Sequence, residues 1–149
     1  MSGLVQDSEA VVEVGELTNT EVFADSDAIV QVLSNLIENG VKYGHRRSEP
    51  LSRVLITASD VVEPIPAVEF RVTDFGQGIP SEHLPRIFER FYRVDKARSR
   101  ESGGTGLGLS IARHMVQTHG GTIHAESELN VGSTFVFTLP KAQSSLISA

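Results

Sequence analysis

Three glycines at alternate positions, Gly104, Gly106 and Gly108, run straight into an amphipathic helical pattern that begins near Leu107. Glycine lets backbone N–H groups come close to an anion, and a helix start adds unsatisfied donors and a partial positive charge. A chain with this feature must place a loop-to-helix junction where a polyphosphate can reach it. A mobile glycine linker is the bland alternative. Leu107 and Leu109 argue against it, because a linker has no reason to bury leucine. The spacing is not the dinucleotide pattern Gly-x-Gly-x-x-Gly, since position 109 is Leu, and the Lys-Ser/Thr ending of a P-loop is absent.

Charge points the same way. The net charge of −6 argues against nucleic acid as a partner. Yet Arg86, Arg90, Arg93, Lys96, Arg98 and Arg100, six of the 13 basic residues, fall within 15 positions. A local basic field in an acidic protein suits a compact anion better than a long polyanion. A solvated charge run is an equal reading for Lys96 to Arg100.

At 149 residues, 40% of them hydrophobic, the chain is expected to form one domain, 1–149, with a core over about 10–140 and a loose tail at 141–149. There is no cysteine, which excludes disulfides and cysteine-zinc sites. No apolar run approaches the ~20 residues of a membrane span, so no direct membrane contact is expected, and the expected location is cytoplasmic.

Periodicity predicts short strands at 10–14 and 21–24 around the turn-prone Thr18-Asn19-Thr20. Asp25-Ser26-Asp27 offers helix N-caps, and the helix is predicted from about Asp27 to Tyr43, ending at Gly44. Ile29, Leu33, Leu36, Ile37 and Val41 form its apolar arc, and Gln31, Asn35, Asn39 and Lys42 a separate polar stripe. Strands are predicted at 53–59 and 67–73, the second running into the glycine turn Asp74-Phe75-Gly76-Gln77-Gly78-Ile79. A short helical piece at 85–88 opens a lid over about 85–105, with Phe88 and Phe91 as its apolar anchors. A second helix at 107–119 and strands at 122–127 and 133–139 follow. This order indicates a two-layer α/β sandwich: a mixed, mostly antiparallel sheet with helices on one face and a mobile lid.

Four motifs thus stand in order. Asn35 to Tyr43, Asp74 to Ile79, Arg86 to Arg93 and Gly104 to Ser110 resemble the N box, first glycine box, F box and second glycine box of the catalytic and ATP-binding domain of sensor histidine kinases. These belong to the superfamily of Bergerat-fold ATPases that also holds gyrase-type, Hsp90-type and MutL-type enzymes. The resemblance covers about residues 10–140, and one departure is Gly40, where the N box usually has Ala.

The resemblance implies ATP and Mg²⁺ as ligands. It makes Asn39 the magnesium ligand, with Asn35 supporting the metal's water shell; an amide oxygen is a hard, neutral donor of the kind Mg²⁺ takes. It makes Asp74 the acceptor for the adenine amino group, places Tyr43 against the ring, and sends Lys42 to the phosphates. Arg90 and Arg93 are candidates for the terminal phosphate, Arg90 preferred. Gly76, Gly78, Ile79, Tyr92, Gly104, Thr105, Gly106, Leu107 and Gly108 complete the expected nucleotide site, with Asn35, Asn39 and Arg90 the catalytic set.

Hydrolytic relatives place glutamate at the position of Asn35, as the base that activates water. An amide cannot take that proton, whereas a neutral imidazole needs little base assistance as a nucleophile. The expected activity is therefore phosphoryl transfer to a histidine. His45, His83, His114, His119 and His124 lack the phosphoacceptor context, so the acceptor is expected on a dimerisation domain outside this chain, with a response regulator as an indirect partner. The competing reading is a regulatory module that binds ATP or ADP without transferring phosphate. Asp-Phe-Gly at 74–76 does not indicate a protein kinase, because the chain lacks the length and the lysine strand that fold needs.

Overall fold

The computed structural model describes residues 10–22, 24–43, 52–92 and 107–142; for Ala10, Lys42 and Tyr43 it describes the backbone. Seven elements follow one another: β1 (Ala10–Leu17), α1 (Ser26–Tyr43), β2 (Ser52–Val61), β3 (Ala67–Asp74), α2 (Gly108–Thr118), β4 (Ile123–Glu128) and β5 (Gly132–Pro140). The strands form one sheet in the order β1-β2-β3-β5-β4. The β1–β2 pair is parallel and the other three pairs are antiparallel.

Both helices pack on one face. Val32, Leu36, Ile37 and Val41 of α1 and Ala112 and Val116 of α2 meet Val54, Val72, Phe135, Phe137 and Leu139 of the sheet. The alternation of Phe135, Phe137 and Leu139 along β5 puts all three inward, because side chains two apart share a face. The opposite face carries Arg71 paired with Glu69 and Glu126, which keeps it polar.

Asp25 caps α1: its Oδ1 accepts the Asp27 N–H at 3.0 Å and its carbonyl accepts the Ile29 N–H at 3.1 Å. The other end of α2 reaches this cap. His119 Nδ1 donates to the Met115 carbonyl at 2.7 Å, and its Nε2 accepts the Asp25 N–H at 3.3 Å, the one tautomer these partners allow. The helices therefore run antiparallel.

Gly40 faces the sheet. A Cβ there would stand 3.0 Å from Val54 Cγ2, so the departure from Ala lets α1 approach β2, at a propensity cost of up to ~1 kcal/mol.

Three expectations are corrected. In place of the strand predicted at 21–24 the described residues show a bridge between Val22 and Lys141, and among them the sheet has five strands. Thr18-Asn19-Thr20 does not turn a hairpin. The Thr18 N–H bonds the Ala58 carbonyl, and the Thr18 and Thr20 hydroxyls donate to the two Asp60 oxygens, which ties the end of β1 to β2. The piece at 85–88 is also not a helix. Residues 81–92 form successive turns, closed by bonds such as Arg86 N–H to His83 O and Glu89 N–H to Arg86 O.

Candidate functional site

The end of β3 carries the best-defined feature. Asp74 is buried, and its Oδ1 accepts two backbone N–H groups, Gly76 at 3.0 Å and Ser133 at 3.2 Å. Among the described residues both bonds fall on this one oxygen, which leaves Oδ2 as the acceptor for a ligand. Burial pushes the carboxyl pKa up, and the Gly76 and Ser133 N–H groups only partly offset it.

Two glycines make the close approach possible. Gly132 sits at φ 145°, and a Cβ there would fall 2.1 Å from the Asp74 carbonyl oxygen. Gly78 sits at φ 82°, with its Cβ position 2.5 Å from the Glu128 carbonyl. The turn they frame is held by Ser127, whose Oγ accepts the Ile79 N–H at 2.7 Å, donates to the Gly132 carbonyl at 3.1 Å, and lies 2.9 Å from Ser133 Oγ. Gly132→Ala is expected to destabilise the domain by more than the ~1–3 kcal/mol of a strained backbone conformation alone. Urea unfolding measures it, and a loss under 1 kcal/mol would contradict the packing argument.

The α1 polar stripe forms the adjacent wall. The Cβ position of Gly40, the residue after Asn39, lies 3.8 Å from Asp74 Cβ, which brings Asn39 to the Asp74 end of the cleft. Asn39 is half-buried, and among the described residues nothing hydrogen-bonds its side chain. One turn earlier, Asn35 Nδ2 donates to the Gly108 carbonyl at 3.1 Å, joining α1 to the start of α2. Glu38 is exposed, on a different part of the helix.

The first turn of α2 contains no acidic residue, and no side chain caps its start. Ser110 is occupied elsewhere, its hydroxyl donating to the Leu107 carbonyl at 2.9 Å. Among the described residues a Cβ on Gly108 would meet nothing within 4 Å, which leaves space beside the helix start. Beside it runs a groove of about 460 Å³ whose lining includes Arg90, Leu107, Ser110, Ile111 and His114. The structure thus puts Arg90 on the same wall as the first turn of α2.

The segment before Arg90 is anchored by Ile87 and Phe88, both buried, with Phe88 edge-on to Phe135 at 6.1 Å. Phe91 is not an anchor: it is 62% exposed at φ 66°, with the Arg90 guanidinium 5.4 Å from its ring centre. The left-handed backbone goes with an outward ring, whereas the sequence suggested an apolar anchor beside Phe88. Tyr92 shares a hydrogen bond with His83, lies 4.7 Å from the Arg86 guanidinium, and packs against the core. Arg93, Gly104, Thr105, Gly106 and the side chains of Lys42 and Tyr43 lie outside the described residues.

Asp74, Gly76, Gly78 and Ile79 thus share the turn after β3, Asn39 lies on α1 beside that turn, Asn35 bonds the start of α2 at Gly108, and Arg90 lines a groove with Leu107. Sequence reasoning missed Ser127, Gly132 and Ser133, which shape the Asp74 end. Only the glycine before a strand hinted at them.

The same arrangement of strands, helices and boxes is found in known proteins. Residues 24–143 match the sequence profile of the family described as histidine kinase-, DNA gyrase B-, and HSP90-like ATPase. The chain belongs to this family. Its fold is the family's Bergerat-like α/β sandwich, and the family function is ATP binding. The chain is 48% identical over 116 residues to the sensor histidine kinase WalK of Bacillus subtilis, covering 78% of this chain and 18% of WalK. The match thus spans about a fifth of that relative's length. The mycobacterial sensor histidine kinase MprB superimposes with a TM-score of 0.73 at 29% identity, covering 89% of this chain and 84% of that one. Full-length ShkA in complex with AMPPNP gives 0.76 at 28% identity, covering 96% of this chain and 28% of that one.

Among the described residues no helix is long and apolar enough to cross a membrane.

Proposed function

We propose that this domain holds ATP for transfer of its γ-phosphate to a histidine on a helical dimerisation domain outside the chain. The observation that carries the reading is a pair of chemically different groups set one helical turn apart along α1. Near Asn39, Asp74 offers a buried carboxylate oxygen; near Asn35, α2 begins beside open space with no acid in its first turn. The first end suits an exocyclic amino group. The second suits phosphates, whose charge the helix dipole favours.

Asp74 would select adenine, because guanine presents a carbonyl at the corresponding position and two acceptors repel. Arg90 would meet the terminal phosphate through its guanidinium fork. Mg²⁺ also fits. Among the described residues no group of three His, Asp or Glu could hold a metal by itself, and Mg²⁺ is commonly held by one protein oxygen together with phosphates and water. Asn39 Oδ1 would be that oxygen, and the ion would offset phosphate charge. With an amide at 35 and Glu38 facing solvent, no carboxylate sits on this face of α1 to deprotonate water. The domain's contribution to catalysis is positioning and electrostatic stabilisation.

The test mixes this domain with the separately purified dimerisation domain of a close relative and γ-labelled ATP. Acid-labile, base-stable label on the partner is expected. ATP binding without label would favour the regulatory-module reading. Calorimetry should show ATP binding with at least tenfold preference over GTP; equal affinities would remove Asp74's assignment.

A further inference from the structure

Asn35 does not stand alone on α1. Its Nδ2 donates to the Gly108 carbonyl at 3.1 Å, and its Oδ1 accepts from Gln31 Nε2 at 2.9 Å, one turn earlier on the same helix. The direction of this chain is fixed by chemistry. A backbone carbonyl only accepts, so Asn35 must turn its NH₂ toward Gly108. That leaves Oδ1 pointing back along α1, where only a donor can satisfy it, and Gln31 must present its own NH₂. Each amide thus sets the orientation of the next.

The carbonyl they hold belongs to the first residue of α2, immediately after Leu107. Gly108 has no side chain to pack, and among the described residues an added Cβ would meet nothing within 4 Å. At the far end of α2, His119 makes the other joint to α1, through the Asp25 N–H. Two polar joints therefore flank the apolar packing of α2 on α1, and the Gln31–Asn35 joint is the one at the start of α2.

We infer that Gln31 is a positioning residue for nucleotide binding. It locks the Asn35 amide onto the Gly108 carbonyl and so holds the N-terminal turn of α2 where its backbone N–H groups can face phosphate. This rests on the phosphate end of the cleft proposed above, and it gives a reason for an amide at 35 that is independent of catalysis. A carboxylate there could still accept from Gln31, but it would place acceptor against acceptor 3.1 Å from the Gly108 carbonyl and break the joint.

Gln31 is exposed, so Gln31→Met, similar in length and without polarity or charge, leaves the core untouched. Two measurements test it. In nucleotide-free protein, amide hydrogen exchange at Ile111, whose N–H bonds the Leu107 carbonyl at 2.9 Å, should quicken about threefold to tenfold, the range expected for one net hydrogen bond. Exchange at the far end of α2 should not change. In calorimetry, Mg-ATP affinity should fall by a similar factor and AMP affinity should not, because the clamp acts at the terminal phosphates. In an Asn35→Ala background, Gln31→Met should add nothing, since Gln31 acts only through Asn35. Unchanged exchange at Ile111, an equal loss for AMP and ATP, or an undiminished Gln31→Met effect without Asn35 would each overturn the inference. If the unmutated domain shows no ATP binding at all, the proposed function fails, and the exchange data still decide whether the clamp exists.

Discussion

Asp74→Asn is expected to abolish the thermal stabilisation that ATP gives this domain while leaving the nucleotide-free fold intact. An asparagine oxygen can still accept the Gly76 and Ser133 N–H groups that bond Asp74 Oδ1, so the turn keeps its bonds. What changes is the second atom. In place of Oδ2, an NH₂ group would face the adenine amino group, donor against donor. A hydrogen bond to a charged group contributes about 1.5–3 kcal/mol, so affinity should fall roughly 10- to 100-fold or more. At ATP concentrations 100 times the original Kd, stabilisation of about 2.7 kcal/mol would shrink to about 0.4 kcal/mol after a 100-fold loss. A ligand-induced shift in Tm equal to that of the unmutated domain would falsify the base assignment.

The same substitution carries a pH signature with a definite sign. Burial raises the Asp74 pKa above its ordinary value of 3.8, so the folded state keeps its proton to higher pH than the unfolded chain does. The protonated form therefore favours folding. This contribution is present below the unfolded pKa and is lost as pH rises through the window from 3.8 up to the raised folded value. Asparagine does not titrate. The stability of Asp74→Asn relative to the unmutated domain should accordingly rise from acid toward neutral pH and then level off. Urea unfolding across that range measures it, and a difference that falls with pH would mean that the two N–H bonds outweigh desolvation. A buried carboxylate that costs the empty protein stability is consistent with a group kept for a ligand.

Much of the fold was legible because the signals are local. The apolar arc from Ile29 to Val41, opened by Asp25 and closed by Gly44, defined α1 to within a residue of Ser26–Tyr43. The helix predicted at 107–119 and the strand predicted at 133–139 match α2 and β5 to within a residue at each end. What escaped was non-local. The β1 strand finds its partner across α1, in parallel with β2, and no local pattern distinguishes that from a hairpin with residues 21–24. The Ser133 N–H reaches Asp74 from 59 residues away in sequence, through a glycine whose need appears only when β5 is laid beside β3. Phe91 failed for a backbone reason, since a positive φ at a non-glycine residue reverses the direction that spacing implies. Asn35 was read for its chemistry toward a ligand, and its bond to Gly108 depends on how two helices far apart in sequence come together.

Asn39→Ala should have the second-largest effect, and it should depend on magnesium. Asn39 is half-buried at the Asp74 end of α1, and among the described residues its amide holds nothing. Removing it breaks no hydrogen bond of the nucleotide-free protein, and alanine is the better helix former by a few tenths of a kcal/mol. The empty domain should thus be as stable as before or slightly more so. With Mg-ATP the result should reverse. Losing even an outer partner of a bound metal commonly costs 10- to 100-fold, so losing the ligand proposed here should weaken Mg-ATP at least that much. ATP in the presence of a chelator should bind both proteins within about threefold, because base recognition at Asp74 and the amides of α2 are untouched. Calorimetry with and without Mg²⁺ separates these terms. Equal losses under both conditions would place Asn39 against the nucleotide itself. No loss under either would move the metal to a residue outside the α1 stripe, and with it the assignment of the phosphate end.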